Sequence, residues 1–160
     1  MQDLTPLAEQ LGALLKSRKE TIAVAESAAG GLIASSLLAV PGASAYFIGG
    51  TVVYTYLSRS ALLGIPDNAL TGMRPSTEPY ALLLARSIRV RLNATWGIGE
   101  TGAAGPTGNR YGDAAGHACV AIAGATEAAL TIETGDTDRA KNMRAFAAGA
   151  LELLRKHIIG

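Results

Sequence analysis

The chain has 160 residues, of which 49% are hydrophobic and 17% charged, with a formal net charge of +1 at pH 7. A single domain of this length buries enough apolar surface to fold without disulfides or a structural metal. So balanced a charge excludes a disordered chain and the basic surface that nucleic-acid partners select.

The single Cys119 has no partner for an internal disulfide, and every apolar run is broken well short of the roughly 18 residues of a membrane span. Met1-Gln2-Asp3-Leu4 lacks the basic and apolar regions of a secretory signal, so the expectation is a cytoplasmic protein with no membrane partner.

In chain order, Leu4, Leu7, Ala8, Leu11, Leu14 and Leu15 form one helical stripe, with Thr5 as N-cap and Pro6 at the first helical position. Residues 21–26, short and apolar, read as a strand covered on both faces. Residues 27–40 read as a helix whose N-terminus carries Gly30-Gly31 and which stops at Pro41-Gly42. A second strand is expected over 49–56, then a short helical piece over 58–63 and a break at Gly64-Ile65-Pro66.

Thr77-Glu78-Pro79 signals the start of a helix running to about Asn93, with Arg86, Arg89 and Arg91 on a solvated face. Residues 95–101 suit a strand that ends in a Gly-rich loop from Gly102 to Asn109. Two more strands, over 117–123 and 128–134, are spaced to pair as a hairpin. Asp136-Thr137-Asp138 caps a last amphipathic helix that carries Met143, Ala147, Leu151, Leu154 and Ile158. This order predicts one α/β domain over residues 1–160, in three α/β/α layers around a mostly parallel, mixed sheet.

Two strand ends carry candidate chemistry. In Ala25-Glu26-Ser27-Ala28-Ala29-Gly30-Gly31 a hydroxyl sits at a strand-to-helix turn whose free backbone N–H groups suit a phosphate or a developing oxyanion. Ser27 there is either a nucleophile or a plain N-cap, and Glu26 either orients a ligand or merely ends a strand. Glu100-Thr101-Gly102-Ala103-Ala104-Gly105 would converge on the same sheet edge if its strand runs parallel to the first. After the second strand, Tyr54 and Arg59 add an aromatic hydroxyl and a permanent cation; Arg59 suits an anion and cannot act as a neutral base. Cys119 reads as core, and two histidines with one cysteine offer no metal-ligand spacing, so no metal is expected.

Together these segments resemble the CinA C-terminal family, the competence/damage-inducible domain that includes bacterial nicotinamide mononucleotide amidohydrolases. The resemblance rests on Ala25-Glu26-Ser27 with Gly30-Gly31, Val40-Pro41-Gly42-Ala43-Ser44-Ala45, Val53-Tyr54-Thr55 with Leu62-Leu63-Gly64, Thr77-Glu78-Pro79, Thr101-Gly102 with Ala104-Gly105-Pro106, and Gly135-Asp136. Larger members carry a further N-terminal domain, and this chain looks like the stand-alone form. The resemblance implies deamidation of nicotinamide mononucleotide to nicotinate mononucleotide and ammonia without cofactor or metal, in a homo-oligomer. Carried over by position, Ser27 is the nucleophile, Tyr54 its helper, and Arg59 stands where the family has a lysine base.

That substitution removes the usual base, because a guanidinium stays protonated where a buried lysine would not. Glu100 or Glu26 is then the expected substitute, with Glu26, Gly30, Gly31, Thr101, Gly102, Ala104 and Gly105 expected around the substrate. The alternatives are a catalytically silent nucleotide-binding protein and an amidase with a shifted substrate.

Overall fold

The computed structural model describes residues 3–158. Its centre is one five-stranded sheet in the order β2-β1-β3-β4-β5. The strands are β1 (Ile22–Glu26), β2 (Phe47–Val52), β3 (Trp96–Ala103), β4 (His117–Ala123) and β5 (Glu127–Glu133). β1 pairs in parallel with β2 and β3, whereas β3–β4 and β4–β5 are antiparallel, so the sheet is mixed.

Helices α1 (Thr5–Arg18), α2 (Leu32–Leu38) and α5 (Arg139–Ile158) cover one face, and α3 (Tyr56–Leu63) with α4 (Glu78–Arg91) covers the other. The alternation of strand side chains explains the split. Ile22, Val24, Trp96, Ile98, Val120 and Ile122 point into the first layer, and Ala23, Ala25, Cys119 and Ala121 into the second. The three-layer expectation and the buried Cys119 both hold, and the hairpin forms.

Several boundaries differ from the sequence reading. The α1 cap comes from Asp3, whose Oδ1 accepts from Thr5 N–H at 3.0 Å, so Thr5 is the first helical residue. β2 ends at Val52, because Thr55 caps α3 reciprocally with Ser58 and pulls Tyr54 out of the ladder and Tyr56 into the helix. β3 runs on through Gly102 and Ala103, which pair with Ala118 and His117; these two residues are strand, not loop.

The approach of α4 to β3 fixes the second layer. A Cβ on Gly99 would lie 2.0 Å from the Ala81 carbonyl oxygen, and one on Gly97 would lie 2.1 Å from that of Ala85. Glycines here let helix backbone rest on strand backbone, and no side chain can swing away to make room. Gly99→Ala is therefore expected to cost about 1–3 kcal/mol or more in urea unfolding. A stability equal to that of the parent would show that α4 moves freely against the sheet.

Candidate functional site

The turn between β1 and α2 is built around two buried carboxyls. β1 and β3 run parallel with Ala25 opposite Gly99, which brings the next residues, Glu26 and Glu100, side by side. Glu100 Oε2 accepts from Ser27 N–H at 2.8 Å and Ala29 N–H at 2.9 Å. Glu26 accepts from Gly31 N–H at 2.8 Å, Ile33 N–H at 3.1 Å and Ala34 N–H at 2.9 Å. Gly30 and Gly31 stand at φ +67° and +100°, the left-handed backbone that aims these amides inward.

α2 consequently starts at Leu32 with Gly31 as its N-cap, and Ser27 is not a cap. The amides expected to hold a phosphate or an oxyanion are already taken by the protein's own carboxyls. The Glu26 carboxyl thus fills the α2 N-terminus from within the protein and lines neither cavity.

Ser27 opens on a cavity of about 440 Å³, and its hydroxyl makes no hydrogen bond among the described residues. Tyr54, Tyr56, Thr101, Gly102, Asn109 and Tyr111 share the wall. A neighbouring hollow of about 190 Å³ is lined by Tyr54, Gly102, Ala104, Gly105, Gly108 and Arg139 among others. The structure thus brings together Ser27, Tyr54, Thr101, Gly102, Ala104 and Gly105. Glu26, Gly30, Gly31, Arg59 and Glu100 line neither space.

Arg59 is 1% exposed, its Nη2 bound to Asp67 Oδ1 at 2.9 Å and its guanidinium 4.8 Å from the Tyr56 ring centre. It therefore stands behind Tyr56 as support.

Five contributors to the site went unseen in the sequence. Arg139, at the start of α5, donates from Nη1 to the Gly105 carbonyl and from Nη2 to Tyr54 Oη at 3.2 Å. Ser76, left-handed at φ 61°, lines the cavity; its N–H donates to Thr101 Oγ1 at 3.1 Å and its carbonyl takes His117 Nε2 at 2.8 Å. Asn109 folds its loop by accepting from Tyr111 N–H and Asp113 N–H. Arg110 and Tyr111 extend that loop over the cavity. The only signals nearby were the Thr77 cap and the glycines, which mark local turns and say nothing of what the turns face.

Burial pushes the Glu100 carboxyl up to about 7, against the pull of the Ala29 and Ser27 amides and with some push from Glu26. Burial likewise raises Glu26, opposed by the amides of Ala34, Ile33 and Gly31. A carboxyl whose folded-state pKa exceeds its unfolded value binds its proton more tightly in the folded state. The stability it contributes is therefore complete below its ordinary 4.5 and is lost as pH rises through about 7. Glu100→Gln keeps the acceptor oxygen and removes the titration. Its stability relative to the parent should rise by about 3 kcal/mol between those limits, read from urea midpoints across pH. A difference independent of pH would show that Glu100 titrates normally.

The comparisons agree with this architecture. The family model described as the CinA C-terminal domain matches residues 4–158. A CinA-like protein of Anaeromyxobacter sp. (strain K) is 40% identical over 151 residues, covering 93% of this chain and 36% of that protein. One from Myxococcus xanthus (strain DK1622) is 40% identical over 149 residues, covering 91% and 35%. The chain thus spans about a third of the length of these relatives.

Among solved structures, the competence/damage inducible protein CihA of Agrobacterium tumefaciens superimposes with a TM-score of 0.91 at 27% identity, covering 100% of this chain and 98% of that one. A CinA superfamily protein of Klebsiella pneumoniae gives 0.92 at 21% identity over 99% of each chain, which speaks to the fold alone. With its ordered motifs, its mixed sheet and a match over nearly its whole length, the chain belongs to the CinA C-terminal domain family.

Proposed function

We propose that the chain is an amidohydrolase that converts nicotinamide mononucleotide to nicotinate mononucleotide and ammonia, with Ser27 as nucleophile. The observation that carries this reading is the Ser27 hydroxyl, without a hydrogen bond among the described residues, on a cavity whose walls are aromatic rings and hydroxyls. Such a space accepts a flat heteroaromatic amide. Ser27 Oγ attacks the carboxamide carbon, and its proton passes to the amide nitrogen, which leaves as ammonia when the tetrahedral intermediate collapses. Water then attacks the acyl-serine, one of its protons returning to Ser27 Oγ as the acid is freed. Glu100, whose Oε2 accepts the Ser27 N–H and which lines neither cavity, holds the turn from beneath.

The turn's amides are committed to Glu100 and Glu26, so the developing oxyanion is met by side chains of the cavity wall. Tyr54 carries the phenol for this, polarised by Arg139, and the Thr101 hydroxyl lines the same cavity.

A second reading, nucleotide binding without turnover, is favoured by one observation: Arg59 is locked under Tyr56 and cannot serve the hydroxyl as a neutral amine.

The test is release of ammonia and nicotinate mononucleotide by the purified chain. Turnover that Ser27→Ala abolishes is expected. Binding without turnover, together with activity gained in Arg59→Lys, would establish the second reading. Full turnover in Ser27→Ala would overturn the mechanism.

A further inference from the structure

Tyr56, Arg110 and Tyr111, which line the Ser27 cavity, are linked with Arg59 and Arg74 behind them in one series of rings and cations. The Tyr56 ring holds the guanidinia of Arg59 at 4.8 Å and Arg110 at 5.5 Å. The Tyr111 ring holds those of Arg74 at 5.3 Å and Arg110 at 5.4 Å. The two phenols touch, oxygen to oxygen, at 2.5 Å, and Arg110 Nη2 donates to Tyr56 Oη at 3.1 Å.

Arg110 is the shared member and differs from the other two cations. Arg59 is neutralised by Asp67 and Arg74 by Asp113, whereas Arg110 makes no ion pair among the described residues. Among the described residues it is also the only charged one lining the cavity, and no carboxylate shares that lining. An exposed arginine ordinarily spends conformational entropy when it grips a ligand, and two aromatic rings that already orient the guanidinium reduce that cost. Its remaining N–H groups form a planar fork suited to a phosphate or a carboxylate.

We infer that Arg110, held by Tyr56 and Tyr111, is the anion receptor of the cavity and selects ligands in which an aromatic ring is joined to a phosphomonoester. This deepens the proposed function, because it supplies the phosphate end of the same ligand and explains how the site manages without the amides of the α2 N-terminus. Tyr56 and Tyr111 then serve twice, as apolar wall and as the mount of the cation.

The test measures binding to the Ser27→Ala protein by calorimetry, so that turnover plays no part. The probes are nicotinamide mononucleotide and its phosphate-free riboside, with phenyl phosphate and phenol as a pair lacking the amide. Arg110→Met is expected to weaken the two phosphorylated probes roughly ten- to a hundred-fold and to leave the riboside and phenol within two-fold. Arg110→Lys should recover part of the loss, and added salt should weaken phosphate binding more in the parent than in Arg110→Met.

Arg110 is exposed, so an unchanged unfolding midpoint is expected for both variants. Equal affinities in parent and Arg110→Met would overturn the assignment, as would a loss of phosphate preference in Arg139→Met with none in Arg110→Met. Either result leaves the amidohydrolase reading standing. Conversely, Arg110-dependent binding of phenyl phosphate without binding of nicotinamide mononucleotide would uphold the receptor and remove the substrate. Binding of neither phosphate would remove both.

Discussion

Two carboxyls taking five backbone amides of one turn is the constraint on which the rest of this site depends. The chain leaves β1, passes through two left-handed glycines and enters α2, and each inward N–H along the way needs an acceptor. Glu26 and Glu100 provide them from adjacent parallel strands. Burying acids is costly, and the cost appears as a raised affinity for protons in both groups. In return the turn is held rigidly, with Ser27 at its tip facing the cavity.

This arrangement redirects the electrostatics. A helix N-terminus at the carboxyl end of a parallel strand ordinarily receives a ligand's anion. Here that position is filled internally, and the positive charge available to a ligand comes from the loop after β3 and the start of α5. Arg110 supplies it to the larger cavity and Arg139 to the smaller. Asn142 binds the two regions together, donating to the Ala104 and Asp136 carbonyls while accepting from Thr134 Oγ1 at 2.6 Å. The walls of the site are thus tied to the frame by buried polar bonds.

The local elements were largely legible. α1, β1, α4, the β4–β5 hairpin and α5 follow from periodicity, because each buries one regular stripe or run against the sheet. The misplaced boundaries share a cause. At Gly31 and Val52 the competing signal was a reciprocal bond or an acceptor outside the turn, the Thr55–Ser58 capping box and the Glu26 carboxyl, and at the start of α1 it was the Asp3 carboxylate two residues before Thr5. Gly102 looked like loop and is strand, since Ala118 pairs with it across the ladder.

What the sequence by itself determined is the family, the three layers and the Ser27 turn, because these reside in ordered motifs and in alternation of side chains along single elements. It also showed that Arg59 is no base, since that follows from guanidinium chemistry alone. Only the tertiary structure decided which charges meet the cavity. Glu26, Glu100 and Arg59 face backbone, aromatic ring or a distant carboxylate, while Ser76, Arg110, Tyr111 and Arg139 arrive from segments far apart in the chain. Residue spacing records what lies on one face of one element. Which way a side chain turns at a strand end depends on the neighbours that satisfy it, and those neighbours are fixed only when the sheet and its loops assemble.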